Sequence, residues 1–198
     1  MSERPARLIL LTDRTLLSPT WTLAQAVAPA VTGGIDLVVF RESDLPSGPR
    51  RTVARFVRDG VGGRVPFVTS GSPQFSRECG ADGVHVESAS VAEARAELGP
   101  DAWVGYTATT LDSGRQACEE GADYLLINVD WQSPDSALQA LHAYAAVGCP
   151  IIAGIDPPLE RVAPCLAAGA TGVALCRIPM SAYNRGEAVR AYVEGMRG

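Results

Sequence analysis

Arginine, histidine and glutamate residues that could bind an anion and move a proton lie next to several apolar segments. Arg41 and Glu42 come directly after one such segment, and Arg177 follows the last. His85 alternates with valines in another, and Glu87 lies two residues later. The guanidinium fork matches phosphate oxygens, and histidine or glutamate can transfer protons near neutral pH. We therefore predict that His85, Glu42 and Glu87 are catalytic. The predicted anion- or ligand-binding residues are Arg41, Arg177, Thr107, Thr109, Asn128 and Asp156.

Each of the charged candidates also has a purely structural interpretation. Arg41 and Glu42 can pair with each other, and Arg177 can pair with Asp156. His85 can be a core histidine whose ring is hydrogen-bonded inside the protein. It becomes an acid–base candidate if a glutamate contacts it, because a neighbouring carboxylate raises the pKa of an imidazole. Both interpretations stay open at the level of the sequence.

The basic residues of the chain are all arginine, 17 in number, and lysine is absent. Schiff-base chemistry, a lysine general base and the lysine of a P-loop are therefore excluded. An anion site in this chain must use arginine, backbone N–H groups or a metal ion. The absence of lysine thus narrows the chemistry more than any motif does.

A four-fold repeat indicates how these residues are positioned. Glycine, a small residue, aspartate or threonine, and an apolar run recur from Gly34, Gly80, Gly121 and Gly169. The intervals of 41 to 48 residues suit two strand–helix units each. Glycine ends the preceding helix, because it takes the left-handed conformation without steric cost. Four such copies predict eight strands and eight helices, a single (β/α)8 TIM barrel over residues 1–198.

The active site of a parallel barrel lies where its strands end, which would bring the charged candidates to one opening. The apolar periodicity predicts where the individual strands and helices lie along the chain. Strands are predicted at 8–11, 36–40, 65–68, 83–86, 102–106, 124–127, 150–153 and 172–176, and helices at 20–31, 50–59, 75–79, 91–98, from 111, 136–146 and 186–196.

Composition and charge limit the kinds of partner and the cellular location that we expect for this protein. A formal net charge of −5 and a pI near 5.1 argue against nucleic acid as a partner. No apolar run is long enough for a membrane span, and no signal-peptide pattern begins the chain, so we expect a cytoplasmic protein. The five cysteines show no metal-ligand spacing and are predicted to be free, structural thiols.

The sequence resembles the thiamine phosphate synthase and TenI (thiazole tautomerase) superfamily. The resemblance implies a TIM barrel, a small-molecule ligand such as a thiazole or pyrimidine phosphate, and a homodimer. The family's synthases join a pyrimidine diphosphate to a thiazole phosphate with Mg²⁺. The matching segments are LILLTDR at 8–14, GIDLVVFRE at 34–42, GADGVHV at 80–86, LGPDAWVG at 98–105, GADY at 121–124 and LAAGATGVA at 166–174.

The chain departs from the family at positions that bind metal and phosphate. The strand-two motif Gln-x-Arg-Glu-Lys reads Val-Phe-Arg-Glu-Ser over 39–43, which keeps Arg41 and Glu42 and loses the lysine. Thr109 stands where the tautomerase branch has a histidine. Such losses together should abolish the diphosphate reaction. The remaining departures fall on Ser70-Gly71, Ser90, Ser133 to Ser136, Ile155-Asp156 and Arg177.

Three functional hypotheses follow. The first is a divergent barrel that binds a small heteroaromatic or phosphorylated ligand and performs metal-independent proton transfer related to thiamine metabolism, with no cofactor. The second is a barrel that binds a ligand or partner without catalysis. The third is a Mg²⁺-dependent synthase with a metal site rebuilt from Glu87, Asp130 and Asp156.

Overall fold

Eight parallel strands form a closed barrel in the computed structural model, which describes residues 7–87 and 89–197. Each strand pairs with the next in chain order, and the eighth pairs with the first to close the ring. The predicted (β/α)8 TIM barrel is confirmed. The strands are β1 (Leu8–Leu11), β2 (Leu37–Phe40), β3 (Phe67–Ser70), β4 (Gly83–Val86), β5 (Trp103–Ala108), β6 (Tyr124–Asn128), β7 (Ile151–Gly154) and β8 (Gly172–Leu175).

Helices cover the outside of the ring. A short helix directly after β8, Arg177–Ser181, is an addition that the repeat did not predict. None of the helices in the described ranges is both long and apolar enough to cross a bilayer. The helices are α1 (Leu23–Gly33), α2 (Ser47–Val61), α3 (Pro73–Cys79), α4 (Val91–Leu98), α5 (Leu111–Glu119), α6 (Pro134–Tyr144), α7 (Val162–Ala167), α8 (Arg177–Ser181) and α9 (Arg185–Gly195).

The repeated glycines end helices, as predicted. Gly34 follows α1 with φ of 121°, and Gly80 follows α3 with φ of 64°. Gly121 and Gly169 have φ of 94° and 102° after α5 and α7. A residue with a Cβ rarely adopts these values, so glycine allows each helix to stop and the chain to turn back into the ring.

The aspartates of the repeat join neighbouring strands at the end of the barrel where the strands begin. Asp82, before β4, accepts a hydrogen bond from the amide of Phe67 at the start of β3, at 2.7 Å. Asp36 and Asp123 make the same contact to the starts of β1 and β5, at 2.9 and 2.7 Å. The aspartate side chain thus satisfies an amide at the end of the sheet and supports strand pairing.

Two apolar cores lie on either side of the strands. The outer core fills the space between the ring and its helices. Tyr124 extends into the inner core, where Gly105 on the neighbouring strand leaves room for its ring. A methyl group on Gly105 would collide with that ring. The inner core is built mainly from Ile9, Leu11, Leu37, Val39, Val68, Tyr124, Leu126 and Ile152.

The prediction of free cysteines is wrong for two of the five. Cys118, near the end of α5, and Cys149, just before β7, form a disulfide with a Cα–Cα distance of 5.7 Å. Cys79, Cys165 and Cys176 are free and buried, as expected of small apolar side chains. Sequence spacing missed the bond because the two residues, 31 positions apart, meet only when neighbouring units of the barrel pack.

Candidate functional site at the barrel mouth

Two adjoining cavities open where the strands end. The inner cavity, of about 280 Å³, lies over the barrel interior, and the outer cavity, of about 750 Å³, lies beside β2, β3 and β4. Arg41 and Glu87 line both cavities. The inner cavity is lined by Leu11, Val39, Arg41, His85, Glu87, Thr107, Thr109, Leu126 and Asn128. The outer one is lined by Arg41, Ser43, Arg50, Ser70, Gly71, Ser72, Pro73, Glu87, Ala89 and Glu93.

The mouth brings together six of the nine residues predicted for the site. Arg41, Glu87 and His85 share the inner cavity. Thr107 lies within β5 and Asn128 ends β6, rather than following these strands as predicted. Both residues lie at the carboxyl ends of their strands, so they still line the cavity although the predicted strand boundaries were wrong. The sixth residue of this group is Thr109.

Arg41 presents a free guanidinium to the cavities. The residue follows β2, and its backbone amide donates to Thr12 Oγ1 at 3.0 Å. Within residues 7–87 and 89–197 its side chain forms no ion pair or hydrogen bond. The predicted structural alternative, an Arg41–Glu42 pair, is therefore not formed. The charge is available to a ligand.

Glu42 is instead tied to the loop that follows β1. Its side chain is 1% exposed and accepts the backbone amide of Arg14 at 3.1 and 3.2 Å. The Arg14 guanidinium donates to the same carboxylate at 3.2 Å and also pairs with Asp44. These contacts satisfy a buried charge and hold two mouth loops together. Glu42 does not line either cavity.

His85 has both ring nitrogens hydrogen-bonded. Nδ1 lies 3.0 Å from the hydroxyl of Tyr124, and Nε2 lies 2.8 Å from Oγ1 of Thr107. Burial, with a smaller contribution from the charge of Arg41, lowers the pKa of His85 from 6.5 to about 4. The condition under which a glutamate would raise this pKa is not met. The imidazole is neutral at pH 7 because desolvation disfavours its charged form.

Asp156 accepts hydrogen bonds from the backbone amides that follow β8. Its carboxylate accepts the amides of Cys176 and Arg177, each at 2.8 Å, at the start of α8. Barrels commonly bind phosphate at this place, through loops after the last two strands and a short extra helix. Here the Asp156 side chain, rather than a phosphate, accepts hydrogen bonds from the amides in that place. Arg177 meets Asp156 through its amide, not through its guanidinium, and is exposed outside both cavities.

Arg50 is a mouth residue that the sequence did not indicate. It lies in the first turn of α2 and lines the outer cavity. Its Nη2 donates to the carbonyl of Ser70 at 2.6 Å, and its guanidinium lies over the Phe75 ring at 4.2 Å. No motif marks it; the available signal is that a helix following a strand begins on the mouth side of a barrel.

The three acidic residues predicted as alternative magnesium ligands are not grouped in the described ranges. They are Glu87, Asp130 and Asp156, and no three acidic, histidine or cysteine residues in those ranges are grouped to hold a metal. Asp156 is bonded to backbone amides, and Asp130 accepts from the amide of Gln132 at 2.9 Å. The metal site predicted from these three residues is therefore wrong.

The comparisons with known proteins agree with this architecture. The family model described as thiamine monophosphate synthase matches residues 8–178. The chain belongs to this family. A thiamine-phosphate synthase from Natronomonas pharaonis is 30% identical over 190 residues, covering 88% of each chain.

One relative is much longer than this chain, and one solved structure matches it over nearly its whole length. The thiamine biosynthesis bifunctional protein ThiM/ThiE of Symbiobacterium thermophilum is 34% identical over 178 residues, which cover 83% of this chain but 36% of that protein. The chain therefore spans about a third of this relative. A solved thiamine phosphate pyrophosphorylase from Pyrococcus furiosus superposes with a TM-score of 0.84 at 20% identity, covering 98% of this chain and 97% of that one. That likeness establishes the fold alone.

Proposed function

We propose that this chain binds a small phosphorylated heteroaromatic molecule at the barrel mouth and catalyses metal-independent proton transfer on it. The observation that carries the proposal is the guanidinium of Arg41, which has no partner among the described residues and lines both cavities together with Glu87. A cation and a carboxylate at one junction can hold an anionic ligand and accept a proton from it.

The inner cavity suits an aromatic ring. Its walls combine the apolar side chains of Leu11, Val39 and Leu126 with hydroxyl and amide groups. Ligand pockets generally have this composition, with a few polar groups fixing the orientation. The polar groups proposed to orient the ring are Thr107, Thr109 and Asn128.

Glu87 is the residue proposed to move the proton. It is exposed to both cavities, whereas Glu42 is buried against Arg14. His85 acts in this scheme as a neutral positioning residue: it holds Thr107 toward the cavity while its other nitrogen meets Tyr124. Glu42 likewise positions the loop that carries Arg41.

Ligand binding is tested by calorimetry with a thiazole phosphate. Arg41→Gln should weaken binding at least tenfold, since it removes the free charge. Arg115→Gln is the matched control, because Arg115 is an exposed arginine on α5 that lines neither cavity. Equal affinity of the Arg41 and Arg115 variants would refute the assignment of the site.

Turnover is tested by NMR as exchange of ligand protons with D₂O. Glu87→Gln should abolish exchange while keeping most of the affinity. Adding Mg²⁺ and a pyrimidine diphosphate should yield no thiamine phosphate, because the described residues form no group of three acidic, histidine or cysteine ligands for the metal. Exchange that continues at the native rate in Glu87→Gln contradicts the proposed base.

A second candidate function is ligand binding without catalysis. It is favoured by the low pKa of His85 and by the pairing of Glu42 with Arg14, which together remove two of the three predicted catalytic groups from acid–base work. Binding of the ligand with no proton exchange in the native protein would select this candidate. A homodimer is part of either proposal, and sedimentation at equilibrium tests it.

A further inference from the structure

The outer cavity has a cationic side and an acidic side. Arg41 after β2 and Arg50 on α2 line one side. Glu87 after β4 and Glu93 in the first turn of α4 line the other. An anionic group of a ligand in this cavity is therefore directed to the β2–α2 side, where the two guanidinium groups lie.

Arg50 has no carboxylate of the described chain within ion-pair distance, and the one carboxylate whose charge acts on it, that of Glu42, is more distant. Its side chain forms no ion pair within residues 7–87 and 89–197, and its Nε is enclosed without a hydrogen-bond partner. Burial lowers the pKa of its guanidinium. A partly buried charge with no counter-ion in contact is costly to keep, and an anion in the adjoining cavity would compensate it.

The guanidinium of Arg50 is also held in a fixed orientation. It is bonded to the Ser70 carbonyl and stacked on the ring of Phe75. Gly71, with φ of 118°, runs close beside it: a Cβ there would lie 3.5 Å from Nη2. Preorganisation of this kind reduces the entropy lost when a ligand binds.

The backbone amides after β8, where barrels commonly bind phosphate, are not free to bind one here. The amides of Cys176 and Arg177, after β8, already donate to Asp156. The position of the motif lysine, in the loop after β2, is Ser43, which lines the outer cavity and is neutral. A second cation for an anion bound by Arg41 must therefore come from another element.

We propose that Arg50 is that second cation: it and Arg41 bind the phosphate or diphosphate group of the ligand in the outer cavity. The inference rests on the proposed function for the identity of the ligand, and it assigns a binding role to a residue outside the strand-two motif. Guanidinium groups donate charge-assisted hydrogen bonds to phosphate oxygens, and Nη1 of Arg50 remains for this while Nη2 donates to Ser70.

The experiment measures binding of inorganic phosphate and diphosphate by calorimetry. Arg50→Gln should weaken diphosphate binding at least tenfold. Arg55→Gln is the matched control, because Arg55 lies on the same helix and also donates to a backbone carbonyl, that of Glu78, but does not line the cavity. It should stay within twofold of the native protein.

A measurement on the native protein guards against misfolding of the variants. On titration with diphosphate, the Nε–Hε signal of Arg50 should shift in NMR spectra while that of Arg55 stays in place. Native affinity in a folded Arg50→Gln, an unshifted Arg50 signal, or no anion binding by the native protein each overturns the proposal.

The outcomes separate this inference from the proposed function. If Arg41→Gln loses anion binding and Arg50→Gln keeps it, the role of Arg50 fails and the proposed function stands. If anion binding depends on Arg50 but no heteroaromatic phosphate exchanges its protons, the proposed catalysis fails and the role of Arg50 stands.

Discussion

Acid should destabilise this protein through His85, by an amount that follows from its surroundings. The ring is 2% exposed and is enclosed between Tyr124 and Thr107, so it remains neutral in the folded barrel. Its pKa is about 4 when folded and near 6.5 when the chain is unfolded. This difference corresponds to about 3 kcal/mol.

The direction in which pH changes the free energy of unfolding follows from which state of the protein binds the proton. Above pH 6.5 the imidazole is neutral in both states, and its stabilising contribution is fully present. Between pH 6.5 and about 4, the unfolded chain binds a proton that the folded barrel does not, so the free energy of unfolding falls as the pH falls. Below about pH 4 the contribution is lost.

Urea unfolding from pH 7.5 to 4 measures the effect. His85→Gln keeps a polar side chain near Tyr124 and Thr107 but does not titrate. The difference in free energy of unfolding between the native protein and this variant should change by about 3 kcal/mol over the window. His142→Gln, at an exposed position on α6, should follow the native protein. Carboxylates shared by all three cancel in the comparison.

A constant difference between the native protein and His85→Gln would refute the reasoning. It would mean that the folded barrel protonates His85 as readily as the unfolded chain does. Water or a carboxylate would then reach the ring, and the acid–base role predicted for it would regain its physical basis.

Three further predictions concern stability. Asp82→Ala should lower the free energy of unfolding by about 1 kcal/mol, because the first amide of β3 loses its acceptor. Gly105→Ala should lower it by about 1 to 3 kcal/mol, since the added methyl displaces Tyr124 from the barrel interior. Replacing Cys118 and Cys149 by serine, or reducing their bond, should lower it by about 2 to 4 kcal/mol. Urea titration measures all three.

Each stability prediction has its own control. Asp59→Ala removes an exposed carboxylate that pairs with its helical neighbour Arg58, and it should change little. Gly48→Ala adds a methyl where no atom lies within 4 Å. Reducing agent should have no effect on the double serine variant. A control that loses as much stability as its partner would contradict the corresponding explanation.

The fold could be predicted from the sequence because its signals are local and repeated. A glycine that ends a helix and the apolar run after it recur four times, and each copy predicts the same strand–helix units. Strand ends moved by one or two residues, as for Thr69 and Thr107, because hydrogen bonding to the neighbouring strand decides where a strand stops. The aspartate of the repeat is visible in the sequence, but the amide that it binds belongs to another strand.

The sequence determined some features of the candidate site, and the tertiary structure alone determined the others. The order of residues along the chain determined that Arg41, His85 and Glu87 lie at the mouth, because parallel strands place their carboxyl ends on one side. Tertiary structure alone decided that Glu42 pairs with Arg14, that Asp156 closes the donors after β8, and that Arg50 enters the outer cavity. Pairing, burial and charge depend on distances between residues far apart in the sequence, and only the closed ring sets those distances.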